Sequence, residues 1–246
     1  MARIAGASAA TTLRVRVAAS ALLGCMPIAV IALMLPRWLG APAPHPLVPL
    51  VLFAAMMALV VATVAEAHPF PRFGPANHLT MVRGMLLALA AGAIAAPQSA
   101  AMAWALVAST AVFALLDGVD GVLARRSGMA SAFGARFDME TDACFILVLS
   151  VLVWRYDKAG VWVLASGLMR YAFVAAGFVF RWIARPLRST RRGKTTAVLQ
   201  FVGLAVALAP VVPVRVSTAI AAATVAVLTW SFAVDVRFLW RTRDRA

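Results

Sequence analysis

The chain of 246 residues is 63% hydrophobic, with a mean hydropathy of +0.91, far above that of a soluble domain. Its 23 Lys and Arg against 9 Asp and Glu give a formal charge of +14, which in a soluble protein would point to nucleic acid. Here the cations lie in short segments between apolar runs, so nucleic acid is excluded as a partner in favour of anionic membrane lipids and phosphate. Cys25 and Cys144 each fall inside an apolar run, which excludes a disulfide framework, and the scattered His45, His68 and His78 give a histidine metal site nothing to build on.

In chain order, a polar and basic segment from Met1 to Arg16 precedes a first apolar run, 17–35. That run exceeds the ~7–15 residues of a signal-peptide core and stays apolar past Cys25, so it reads as a spanning helix. A turn rich in proline (Pro36, Pro42, Pro44, Pro46, Pro49) leads to a second span, 50–67. Asn77, three residues before Thr80, is the expected N-cap of a third span, 79–96. A fourth, 100–116, delivers Asp117; Gly128 is the expected stop before a fifth, 134–154. A sixth, 161–180, carries Arg170 in its interior, where a lone cation needs a partner or an anionic ligand. After the basic loop Arg181–Lys194 come two more spans, 196–212 and 217–236, and a basic tail. The fold class is therefore all-α, a polytopic bundle of eight spans, each near the ~20 residues that cross the hydrocarbon. With the N-terminus inside, 18 Lys and Arg fall inside and 4 outside, which sets both termini in the cytoplasm.

Five of the nine acidic residues crowd between spans four and five: Asp117, Asp120, Asp138, Glu140 and Asp142. On a continuous helix Asp117 and Asp120 share a face, and Asp138 and Asp142 share a face of the next helix. Glu140 points roughly 200° away from both of its neighbours. Four carboxylates aimed at one point require a cation among them, and an all-oxygen set suits Mg²⁺, Mn²⁺ or Ca²⁺ rather than zinc. Gly118, Gly121 and Ala124 recur every third position and form a groove for close approach, and Arg125 is a cation suited to phosphate oxygens.

Read as D-x2-D-G-x2-A-R-x8-G-x3-D-x3-D from Asp117 to Asp142, the stretch resembles the signature of the CDP-alcohol phosphotransferase family at every fixed position. The segment Asn77 to Arg83 likewise resembles that family's N-x-L-T-x-x-R helix entry, with Ala76 where proline is usual. The resemblance covers Pro75 onward. It implies a six-helix catalytic domain, 71–246, preceded by a basic tail and two additional spans, 1–70. It also implies transfer of a substituted phosphate from a CDP-alcohol, here CDP-diacylglycerol, to an alcohol acceptor with release of CMP, in an enzyme of the bacterial inner membrane that forms a homodimer. By the same resemblance two ions, Mg²⁺ or Mn²⁺, are held by Asp117, Asp120, Asp138 and Asp142, and Asp142 takes the acceptor's proton. Asn77, Thr80, Gly118, Gly121, Ala124, Arg125, Ser131 and Gly134 match positions around the CDP-lipid.

The acceptor is read from charge. Arg170, Arg188, Arg191, Arg192 and Lys194 suit a phosphorylated alcohol, glycerol 3-phosphate first, with phosphatidylglycerol, an inositol phosphate or an amino alcohol as the other choices. Gly193-Lys194-Thr195 is no P-loop, because Arg188 stands where that motif needs glycine. A cation transporter built on the same aspartates is the alternative of another class; against it, the acids sit at span ends and not at the midplane.

Overall fold

The computed structural model describes residues 2–40, 45–185 and 190–243, which form eight α-helices and no strand. Pro42, Pro44 and Arg188 lie outside the described residues. The helices are α1 (Ala2–Trp38), α2 (Leu47–Ala67), α3 (Pro75–Ala93), α4 (Ala100–Arg126), α5 (Ala132–Arg155), α6 (Ala165–Val179), α7 (Arg191–Leu208) and α8 (Val214–Thr242), with a 3₁₀ turn at Val161–Leu164 leading into α6. The chain divides into two compact units, 1–142 and 143–246.

In the first unit α1 packs on α2, α2 on α3, α3 on α4, and α1 also touches α3. The buried positions of α1 (Leu13, Val17, Ala21, Gly24, Ile28, Ala32) and α2 (Phe53, Met57, Val60, Val64) recur every three or four residues, so each helix buries one stripe. The remaining faces are apolar as well: Leu22, Leu23, Met26, Leu52 and Leu59 are exposed, as helices bathed in lipid require. Close approach to α3 rests on Gly84, Ala88 and Gly92, four residues apart on one face. A Cβ on Gly84 would collide with the Met56 side chain, and one on Gly92 would lie 2.9 Å from Pro49 Cδ.

Helix ends depart from the expected bounds for local reasons. α1 is helical from Ala2, through the segment expected to be a polar tail. α3 begins at Pro75, which suits a first helical position because its missing N–H is not needed there. Asn77 therefore lies inside the first turn and is not the N-cap; its amide donates to Phe73 O at 2.5 Å. Ser99 caps α4 by accepting from Met102 N at 3.1 Å. α4 runs on through the aspartate motif to Arg126, and Gly128 (φ 66°) turns the chain in the left-handed conformation expected of it.

In the second unit α7 packs on α8, which also touches α6. Arg191 to Lys194, expected as loop, form the first turn of α7, because Thr190 accepts from Gly193 N at 3.1 Å and caps the helix there. Lys158 donates to Ala209 O (3.0 Å) and Val212 O (2.7 Å), satisfying carbonyls at the end of α7. Arg185 does the same for α8 through Thr242 O (2.6 Å) and Arg243 O (2.7 Å).

Among the described residues, five segments are long and apolar enough to cross a membrane: 10–38, 47–67, 100–126, 161–179 and 214–242. The other three helices, α3, α5 and α7, hold Asn77 and Arg83, three acids, and the Arg191–Lys194 cations, and this polar load lowers their hydropathy. Gly167 of α6 sits so close to α5 that an added Cβ would strike Leu147 Cα, which cannot rotate away. Gly167→Ala is expected to lower stability by about 1–3 kcal/mol in detergent melts. Gly118→Ala, whose Cβ meets nothing within 4 Å in the interior of α4, should instead raise it by about 0.4–1 kcal/mol.

Candidate active site

Helix register does what the spacing requires. Asp117 and Asp120 project from one face of α4, and Asp138 and Asp142 from one face of α5. One carboxylate oxygen from each of Asp117, Asp120 and Asp138 lies within 4.8 Å of the others. Asp142 is tied to this trio through a residue absent from the expected site, Arg83 of α3. All five residues belong to the first unit.

Arg83 is 0% exposed. Its Nη1 donates to Asp120 Oδ2 at 2.5 Å and to Asp138 Oδ1; its Nη2 donates to Asp142 Oδ1 and lies 2.9 Å from Asp117 Oδ1. The ring of Phe113 lies beneath the guanidinium, 4.5 Å from Cζ to the ring centroid. A planar fork with five N–H donors can reach four carboxylates at once, which a lysine ammonium cannot. Four carboxylates against one guanidinium leave a formal charge of −3 around a fully buried arginine. Hard divalent cations fit that deficit and that all-oxygen donor set. Arg83 had two signals in the sequence: it closes the N-x-L-T-x-x-R resemblance, and it is a cation within an apolar run, the feature that singled out Arg170.

The residues matched to CDP-lipid positions form two groups. Gly118, Gly121, Ala124 and Arg125 lie along α4 next to the aspartates, with Gly118 and Arg125 exposed. Asn77, Thr80, Ser131 and Gly134 lie where the starts of α3 and α5 meet. A Cβ on Gly134 would lie 2.7 Å from Asn77 Oδ1 and 3.3 Å from Ser131 Oγ, so this approach needs glycine. Thr80 is buried, and its hydroxyl donates to Ala76 O at 3.2 Å.

Among the cations assigned to an acceptor, Arg170 is half-buried on α6, and Arg191 and Lys194 are exposed on the first turn of α7. Arg192 forms an ion pair with Asp235 of α8 and lies 6.0 Å above the Trp230 ring, so it is held within the second unit.

Removing Arg83 leaves one buried acid, Asp120, and three half-buried ones without their common partner. Arg83→Ala is expected to cost about 3–5 kcal/mol in thermal unfolding, the range for breaking a buried ionic network, and Arg83→Lys to recover only part. Added Mn²⁺ should raise the melting temperature of Arg83→Ala more than that of the unsubstituted protein. Unchanged stability in Arg83→Ala would show that the aspartates do not depend on it.

The family profile described as CDP-alcohol phosphatidyltransferase matches residues 73–233, more than half of the chain. Neither the curated proteins nor the solved structures give a match. The matched region begins after α2 and contains Arg83 and all four aspartates. The chain belongs to the CDP-alcohol phosphatidyltransferase family, integral membrane transferases of lipid biosynthesis that move a phosphatidyl group from a CDP-alcohol to an alcohol acceptor.

Proposed function

We propose that the protein transfers the phosphatidyl group of CDP-diacylglycerol to a phosphorylated alcohol, glycerol 3-phosphate first, at the cytoplasmic face of a bacterial inner membrane. The observation that carries this reading is the convergence of Asp117, Asp120 and Asp138 with Asp142 around Arg83, inside the region matched to the family. The catalytic domain is 71–246, with 1–70 as an accessory pair of helices, and the family resemblance extends to a homodimer. The asymmetry of 18 inner against 4 outer cations supports the orientation.

Asp117, Asp120, Asp138 and Asp142 would hold the Mg²⁺ or Mn²⁺ ions. Bound there, such ions neutralise charge that builds on a pyrophosphate as it breaks and help CMP to leave. The chain's own groups do the rest. The acceptor hydroxyl oxygen forms a bond to the phosphorus that carries diacylglycerol. The bond from that phosphorus to the bridging oxygen breaks, and CMP departs with the electron pair. Asp142 takes the hydroxyl proton. A carboxylate is a weak base, so holding the acceptor in line supplies much of the rate. The glycines of α4 leave room for the donor, and Arg125 is suited to its phosphate oxygens.

Asp142→Asn is expected to lower kcat by ~10²-fold or more, the usual contribution of a general base, while CDP-lipid binding changes little. Near-normal turnover in that variant would remove the proton-accepting role. Activity should vanish after EDTA stripping and return with Mg²⁺ or Mn²⁺; full activity in verified metal-free protein would contradict the ion sites.

The acceptor is tested by incubating the protein with CDP-diacylglycerol and a panel of alcohols, and identifying the lipid product by mass spectrometry. Glycerol 3-phosphate should be used in preference to serine, choline or ethanolamine. Arg191→Ala and Lys194→Ala should raise the acceptor KM much more than the CDP-lipid KM. Efficient use of an unphosphorylated alcohol would overturn the assignment.

A further inference from the structure

The segment between α2 and α3, His68 to Gly74, lies almost wholly before the matched region, yet it is bonded to the turn that follows the α4 aspartates. His68 is 6% exposed. Its Nε2 lies 2.8 Å from Arg72 O, and its Nδ1 lies 3.1 Å from Ser131 Oγ. Ser131 Oγ in turn accepts from Gly134 N at 3.0 Å, the capping bond at the start of α5.

The partners fix the direction of each bond. A carbonyl only accepts, so Nε2 carries the proton toward Arg72. In the neutral ring Nδ1 then accepts from the Ser131 hydroxyl, which leaves the serine oxygen to receive the Gly134 N–H. The chain Arg72 O, His68, Ser131, Gly134 is complete, with every buried donor matched to an acceptor.

Packing reinforces it. The His68 ring meets Phe70 edge to face at 5.4 Å and Phe133, on the first turn of α5, at 5.7 Å. Phe73 lies 6.4 Å from Phe133 and 6.3 Å from Phe137, the residue before Asp138. Gly74 (φ 84°) brings this loop so near the turn that a Cβ would lie 3.2 Å from Met129 Cε. The loop after α2 thus grips the chain from Met129 to Phe137 at several points.

We propose that His68 is a positioning residue for the CDP-lipid. It fixes the Ser131 hydroxyl and the first turn of α5, and so gives the helices ahead of the matched region a part in the reaction. This rests on the reading that Ser131 faces the donor. His68 touches no reacting atom; it acts through Ser131. Ser131 cannot present its hydroxyl to the donor in a defined direction unless something sets its rotamer, and His68 with the Gly134 N–H sets it.

The test is a double-mutant cycle in the full chain, assayed with CDP-diacylglycerol and glycerol 3-phosphate. His68→Ala is expected to raise the CDP-lipid KM roughly three- to tenfold, the effect of losing one orienting hydrogen bond, with kcat and the acceptor KM within about twofold. His68→Gln, which keeps one acceptor and one donor, should recover most of the loss. Ser131→Ala should raise the same KM, and His68→Ala combined with Ser131→Ala should raise it no further than the larger single change. Multiplying effects, or equal rises in both KM values, would overturn the proposal. Amide hydrogen exchange gives a readout independent of the reaction: exchange at Gly134 should speed up in His68→Ala, and unchanged exchange would overturn the proposal. If the unsubstituted protein transfers nothing from CDP-diacylglycerol, the functional reading fails, and the role of His68 toward the donor falls with it. Faster exchange at Gly134 would still show the bond to Ser131.

Discussion

The structure depends on neutralising charge where water is scarce. Ionised carboxylates taken from water are costly unless paired, and four brought together repel one another as well. Arg83 answers part of that cost by touching all four, at zero exposure and with Phe113 against its face. One guanidinium cannot balance four acids, so the cluster retains a strong demand for further positive charge. The same imbalance that makes the site costly to fold gives it a donor set that could hold a metal ion. Arg83 therefore belongs to the site as much as the aspartates do.

Placing those oxygens is a matter of helix register and helix ends. The chain brings the acids together because α4 continues unbroken through Asp117 and Asp120, turns at Gly128, and restarts at a Ser131 cap with Asp138 and Asp142 about two and three turns into α5. An extra residue within α5 ahead of Asp138 would rotate the second pair of acids by about 100° relative to the helix start and break the convergence. Gly134 contributes by admitting Asn77, which links the start of α5 to the start of α3, the helix that carries Arg83.

Local order was legible in the sequence and long-range pairing was not. The eight helices followed from apolar runs and proline breaks, and the face shared by each aspartate pair followed from a spacing of three or four. Helix starts were less legible: Pro75 and Thr190 each begin a helix earlier than hydropathy implied, because capping chemistry overrides the drop in apolar content. Pairings across the chain left no trace in spacing. Arg192 meets Asp235 43 residues on, and His68 meets Ser131 63 residues on. Arg83 was open to inference from the rule that a cation in an apolar run needs a partner, although nothing in its neighbourhood named four of them.

The division of labour among the helices follows from the same cost. α3, α5 and α7 carry the polar and charged residues that set them apart, while α1, α2, α4, α6 with its preceding turn, and α8 are apolar enough to cross a membrane. A helix with an ionic side chain is poorly placed in hydrocarbon when its polar face meets lipid. In the first unit α3 is contacted by α1, α2 and α4, and its small residues Gly84, Ala88 and Gly92 let neighbours come close. The candidate-span portions of α1 and α2 are themselves only 28% buried, so most of their surface is left for lipid. Two helices outside the matched region thus form an apolar coat over part of a helix that carries the buried polar residues Asn77, Thr80 and Arg83. Their inner faces are specified by packing against α3, and their outer faces need only be hydrophobic.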